Sequence, residues 1–374
     1  MDRAILEQKA QLCADKLIHL GGADYDADKN IALKDAFRTG IVARDAGIEE
    51  WDWPQGVGLY GLYRLQAYYG DNRYQDFFAD WYKKNIEKGL PSKNINTTAP
   101  LLPLVGMMDG FSEKEEYEKL CLDRAEWLMH DLPKTIDGGF QHVTSAIGDR
   151  NGVILNEQQL WVDTLFMAVL FLQQMGNRYQ REDWKQEVVH QFLVHIKYLY
   201  EKSNGLFYHG YSFLREDNFG GIFWARGNSW FTLGVTLFLE AAKDVEDGTL
   251  RFVKETFVRH AQALKKLQGE DGLFHTILDD PTSYTETSGT AAIAAGLLRG
   301  IRMGLLDDSF CETADKAVEA LCNQIDQDGT VLGVSAGTGV GMDAEHYRNI
   351  VIRPMAYGQS LTLIALAEAL IESN

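Results

Sequence analysis

Asp163 has the surroundings most directly suited to chemistry in this 374-residue chain. It stands in Leu160-Trp161-Val162-Asp163-Thr164-Leu165-Phe166-Met167, a carboxylate at the head of an apolar stretch. Burial raises a carboxyl pKa, and a helix N-terminus lowers it. A carboxyl group held between the two can give and take a proton near neutral pH. A first-turn Asp that only satisfies backbone N–H groups is the competing explanation. Downstream, Phe223-Trp224-Ala225-Arg226-Gly227-Asn228-Ser229-Trp230 sets an Arg between tryptophans. A guanidinium so placed can clamp a carboxylate while the indoles stack on a sugar ring; it can equally pair with an acid inside the fold. Trp53 and Gln55, preceded by Trp51, lead into an apolar segment in the same way. His142 and His209 each close a short extended stretch ahead of such a segment, where they can bind substrate or orient Asp163. Asn96 opens Asn96-Thr97-Thr98-Ala99-Pro100 and can cap a helix while presenting its amide. Glu286 is a further candidate acid.

The elements that must position these groups come in two kinds. One is amphipathic and charged, at about 2–20, 72–88, 112–131, 179–201, 248–268 and 308–326. The other is apolar on nearly every side and rich in small residues, at about 56–69, 97–109, 160–175, 226–242, 287–303 and 355–372. A helix apolar all round must be surrounded by other elements. Strict alternation of the two predicts six inner helices ringed by six outer ones, an all-α (α/α)6 toroid built of helical hairpins, with 1–374 as one catalytic domain.

Connections from inner to outer helices are short, whereas those from outer to inner are mostly long: 21–55, 132–159, 202–225, 269–286 and 327–354. In an up–down ring the long loops fall on one face, at the N-terminal ends of the inner helices, and that face is where a site is expected. Four of the loops repeat a phrase: Asp137-Gly138-Gly139-Phe140, Asn204-Gly205-Leu206-Phe207, Asp271-Gly272-Leu273-Phe274 and Asp328-Gly329-Thr330-Val331. The Asp/Asn-Gly pair suits a tight turn with positive φ, and the alternation after it a short extended stretch. The glycine-rich segment 333–341 lacks the Gly-Lys-Ser/Thr ending of a phosphate loop and reads as a rim loop.

Composition excludes several classes. The formal net charge of −18 argues against nucleic acid or an anionic membrane as partner. A small anionic substrate stays possible, because a local Arg can read it. Cys13, Cys121, Cys311 and Cys322 have neither zinc-ligand spacing nor a disulfide pattern. No HExxH or clustered ligand set occurs, so no metal or other cofactor is expected. With no apolar signal core and no apolar run of about 18 residues, the chain is expected to be cytoplasmic, as a monomer or weak homo-oligomer.

In order and spacing, these blocks resemble glycoside hydrolase family 105, the unsaturated rhamnogalacturonyl hydrolases. The resemblance runs through Trp53-Pro54-Gln55-Gly56-Val57, Asn96-Thr97-Thr98-Ala99-Pro100, Gly138-Gly139-Phe140 with His142, Trp161-Val162-Asp163, Gly205-Leu206-Phe207-Tyr208-His209 and Phe223-Trp224-Ala225-Arg226-Gly227-Asn228-Ser229-Trp230, and continues to Thr338. It implies an (α/α)6 barrel and hydration of the 4,5 double bond that polysaccharide lyases leave on a terminal uronic acid. Asp163 matches the residue that protonates C4, and His209, Trp224 and Arg226 match residues around the unsaturated sugar. Some relatives carry Asp where this chain has Asn96. The residues themselves leave three alternatives open: an unsaturated glucuronyl hydrolase of glycosaminoglycan fragments, a sugar epimerase using His142 and His209 as bases, and a non-catalytic carbohydrate-binding toroid.

Overall fold

The computed structural model describes residues 2–21, 47–146, 149–242 and 245–372. Its helices are α1 (Arg3–Ile18), α2 (Trp53–Tyr69), α3 (Gln75–Glu87), α4 (Leu101–Met107), α5 (Lys114–His130), α6 (Leu170–Arg178), α7 (Glu182–Leu199), α8 (Ala225–Ala241), α9 (Asp247–Leu267), α10 (Thr287–Arg302), α11 (Cys311–Asn323), a short α12 (Ala344–Arg348) and α13 (Ala356–Glu372). The predicted alternation holds. Helices α2, α4, α6, α8, α10 and α13 pack each against the next, and α13 closes back on α2. The charged helices lie outside this ring, α1 on α13, α7 on α6, α9 on α8 and α11 on α10.

Burial explains the division. Every residue of α10 from Thr287 to Gly300 is buried, whereas α9 buries only a stripe that includes Val253, Phe257, His260, Ala261 and Leu264. Small residues let the inner helices approach closely. A Cβ on Gly296 of α10 would stand 2.6 Å from the Thr232 carbonyl oxygen of α8.

Two inner helices differ from expectation. The predicted 97–109 helix is a 3₁₀ turn, Asn96–Thr98, followed by α4 and a second 3₁₀ turn, Met108–Gly110. Pro100 and Pro103 donate no N–H, so a helix can only start around them. The predicted 160–175 helix begins instead as a strand, Gln159–Trp161. Asp163 and Thr164 start the helix just after it, and the helix then widens into a π-type turn, Leu165–Val169, before α6. Such turns recur at functional sites.

The repeated turn phrase does its predicted work. Gly138, Gly205, Gly272 and Gly329 all have positive φ, between 79° and 87°. Two residues on, the N–H groups of Phe140, Phe207, Phe274 and Val331 donate to buried polar side chains of the helices, Gln191, Asn228, Thr290 and Gln359. Each turn is thereby fixed to the helical wall.

The loops are also joined edge to edge around the face. Trp51 Nε1 donates to the Thr97 carbonyl at 2.9 Å. Ile95 N–H donates to Val143. Strand Gln159–Trp161 pairs antiparallel with Gly210–Ser212. Ala225 N–H donates to Thr276, and Thr287 N–H to Gly333. The first predicted rim loop, 21–55, lies largely outside the described residues.

Candidate active site

The register of the strand pair sets the central contact. Trp161 lies opposite Gly210, and one step further Val162 N–H donates to the His209 carbonyl at 3.0 Å. Asp163 and His209 therefore face one another across the pair. His209 Nε2 is 3.2 Å from Asp163 Oδ2, with the histidine side chain 1% exposed and the aspartate 16%. The contact lies off the hydrogen-bond line, and neither atom has an aligned partner among the described residues. Behind the imidazole, Nδ1 meets the Tyr347 hydroxyl at 2.9 Å, and that hydroxyl accepts from Gly341 N–H at 2.9 Å. A Tyr–His–Asp chain results, with the inner two members buried. Trp224 packs against the same ring at 4.4 Å between centroids.

His142 stands on the other side of Asp163. Its ring stacks on Trp161 at 4.4 Å, and Nδ1 meets Thr164 Oγ1 at 2.8 Å. Burial pulls its pKa down to about 3 against the opposing pull of Asp163, so the ring is neutral at ordinary pH. A poor base on this side argues against the two-histidine epimerase. For Asp163 itself, burial pushes the carboxyl up. The charge and contact of His209, with a smaller effect of His142, outweigh that and hold it below the usual carboxylate value.

Of the predicted substrate contacts, the structure brings some to the open face and turns others inward. Trp53 is partly exposed, stacks on Tyr357 at 4.5 Å and stands edge-on to Trp230 at 6.2 Å. Asn96 is partly exposed, its side chain makes no hydrogen bond among the described residues, and its 3₁₀ turn packs on Leu165–Val169 just beyond Asp163. Trp230 is fully buried behind Trp53 and Phe166 and supports the floor. Gln55 is also fully buried, and its amide donates to the Gly47 carbonyl at 2.7 Å, which ties it to the incoming loop. Trp51 is core, stacked on Trp81 at 5.3 Å.

Arg226 requires a correction. It is 1% exposed and faces the last rim loop. Nη1 donates to the Ser335 carbonyl at 2.9 Å and to Ser335 Oγ and Ser288 Oγ; Nη2 donates to the Ala336 carbonyl at 2.7 Å. Glu286 Oε1 is 3.7 Å away. Both terminal nitrogens are thus used inside the protein, and the expected clamp on a substrate carboxylate is missing. Glu286 is likewise occupied. As N-cap of α10 it accepts from Ser288 N–H, Gly289 N–H, Ser288 Oγ and Ser335 N–H. Together the two residues fix 335–336 at the heads of α8 and α10.

Past that anchor the glycine-rich segment crosses the site. Gly337 packs on Trp53 and Gly339 on Trp161, each so closely that a Cβ would sit 3.3 Å from the indole. The backbone N–H groups of 337–340 make no hydrogen bond among the described residues. Sequence reasoning missed Tyr347. The one available signal was the Asp343 helix cap within an otherwise structureless long loop, which marks a placed helix rather than slack chain.

A toroid of helical hairpins with one partly exposed carboxylate–histidine pair under aromatic rims defines the class, a carbohydrate-active barrel. Comparison with known proteins makes the assignment: residues 36–372 match the model of Glycosyl Hydrolase Family 88, and the chain belongs to that family. It is 31% identical over 321 residues to the unsaturated rhamnogalacturonyl hydrolase YesR of Bacillus subtilis, covering 86% of this chain and 90% of that one. Among solved structures, a possible member of the GH105 family from Salmonella enterica superposes with a TM-score of 0.90 at 34% identity, over 100% of this chain and 96% of that one. The unsaturated glucuronyl hydrolase of Bacillus sp. GL1 shares the fold, with a TM-score of 0.63 at 20% identity over 85% of this chain and 86% of that one.

Proposed function

We propose that the chain is an unsaturated rhamnogalacturonyl hydrolase that releases 4,5-unsaturated galacturonic acid from the non-reducing end of pectin-lyase products. The Asp163–His209 contact at 3.2 Å is the observation that carries the reading. Hydration of a vinyl ether needs one acid whose conjugate base then accepts from water. Glu286, the other acid considered, is held as a helix cap, so a two-carboxylate glycosidase has no second group there.

Before substrate enters, the lowered Asp163 carboxyl is ionised beside His209. A uronate entering the pocket adds negative charge, which favours the protonated acid. Asp163 then gives its proton to C4, water adds at C5 while Asp163 takes a proton back, and the hemiketal opens to release the sugar as a keto acid. Tyr347 and Trp224 hold the His209 ring in place throughout. With Arg226 occupied, the substrate carboxylate falls to the free N–H groups of 337–340, a run of backbone donors of the kind that binds anions. Trp53 and Asn96 border the sugar. The whole chain works as one catalytic domain in the cytoplasm, in keeping with four unpaired cysteines, and as a monomer or weak homo-oligomer.

The test is substrate choice. Unsaturated rhamnogalacturonan fragments and unsaturated glycosaminoglycan fragments are offered in parallel, and kcat/KM is measured on each. A clear preference for the pectic fragments is expected. Preference for the glycosaminoglycan fragments would make the protein a glucuronyl hydrolase.

A further inference from the structure

We infer a second saccharide-binding groove on the outer wall, between α9 and the hairpin formed by strands Tyr200–Glu201 and Leu206–Phe207. It is an open cavity of about 390 Å³. Arg259, Gln262 and Lys266 lie along one face of α9 at spacings of three and four residues, and Lys202 faces them from the hairpin tip.

Charge is the first argument. The chain carries −18, and several basic residues elsewhere are tied to acids: Lys134 to Glu187, Lys197 to Asp137, Arg215 to Asp217 and Arg348 to Asp280. Lys202, Arg259 and Lys266 make no salt bridge and no side-chain hydrogen bond among the described residues. Three unpaired cations against the single acid of the groove, Asp279, form a local positive field on an acidic protein.

The rest of the lining suits a sugar. Tyr200 forms part of the wall and offers an aromatic face to a sugar ring. The Gln262 amide and the amide nitrogen of Asn204, whose oxygen accepts from Leu206 N–H, add polar groups for hydroxyls. Arg259 and Lys266 are separated by about 10 Å along the helix, wider than one sugar ring and suited to carboxylates on alternate residues of a chain. The ligand class is therefore an acidic oligosaccharide, held by internal residues rather than by its end. This assignment rests on the proposed function for its choice of polyanion. The groove would keep a long pectic fragment on the enzyme while its terminus is processed.

The test compares wild type with the triple variant Lys202→Gln, Arg259→Gln, Lys266→Gln. All three side chains are exposed, so folding is retained and a thermal melt checks it. The probe is a saturated rhamnose–galacturonate oligosaccharide, which has no double bond to react. The variant is expected to bind it about tenfold more weakly, with a shallower salt dependence. Its kcat/KM on an unsaturated disaccharide, which offers no internal acidic residues for the groove to hold, is expected to be unchanged. Equal binding by both proteins overturns the inference, and so does displacement of the saccharide by inorganic polyphosphate at equal charge concentration. Should neither protein turn over any unsaturated saccharide while the binding difference persists, the proposed activity fails and the groove stands.

Discussion

Replacing Tyr347 by Phe removes one oxygen from the middle of the site and little else. That hydroxyl holds His209 Nδ1 at 2.9 Å and Gly341 N–H at 2.9 Å, in a residue 1% exposed. Each buried hydrogen bond contributes about 0.5–1.5 kcal/mol, so Tyr347→Phe should destabilise the fold by about 1–3 kcal/mol. The catalytic effect is separate. A ring released on its Nδ1 side no longer holds Nε2 against Asp163, and one hydrogen bond lost from the transition state lowers kcat about tenfold. KM should change little, because the hydroxyl lies behind the imidazole. The pH dependence has a definite sign. Asp163 must be protonated to donate, so the rate falls as pH rises through its pKa. His209 lowers that pKa. A ring that drifts away lowers it less, so the descending limb moves to higher pH. Thermal melts, kcat and KM, and a pH–rate profile test each part. A variant that loses stability yet keeps kcat and an unmoved profile would make Tyr347 a packing residue.

Three further outcomes follow from the same geometry. Asn96→Asp adds a carboxylate on the turn that packs beside the Asp163 segment, and like charge raises the Asp163 pKa, so the descending limb of the pH–rate profile should move upward; an unmoved limb would place Asn96 outside the site. Arg226→Ala leaves Glu286 buried without its cation and frees 335–336, which should cost about 3–5 kcal/mol in denaturant unfolding and displace the glycine-rich segment; a stable variant with weakened uronate binding would restore the clamp. His142, His195 and His260 are buried with pKa values pulled down to about 3, 4 and 4, chiefly by burial. Their contribution to stability is complete above the unfolded value of about 6.5 and is lost as pH falls toward the folded values, so melting temperature should begin to drop near pH 6, earlier than carboxylates alone would cause.

The toroid was legible because an inner helix must be apolar on all sides and an outer one on a single stripe, a contrast written plainly in 287–303 and 248–268. The side of the barrel on which the candidate residues gather was legible from loop length. Asp163 and His209 were readable as candidates, but their contact depends on the Trp161–Gly210 register, which no local pattern encodes. The reading failed at Arg226 because an Arg beside a Trp has the same signature whether it faces a ligand or a loop. Its partners, Ser335 and Ala336, are more than a hundred residues away. Gln55 and Trp230 were misplaced for a related reason: helix position gives an angle but not a depth, and both point into the floor.

The central claim is that Asp163 drives hydration of a double bond. It is tested most directly by following ultraviolet absorbance and saccharide release together in one reaction on unsaturated rhamnogalacturonan disaccharide. The conjugated uronate absorbs, and its hydrated product does not. With wild type the band should vanish in step with release; with Asp163→Asn both should slow by about 10²–10⁴-fold or more, while binding survives. Release of a sugar that still absorbs would mean direct attack at the anomeric carbon, and near-normal turnover by Asp163→Asn would move the chemistry to another residue.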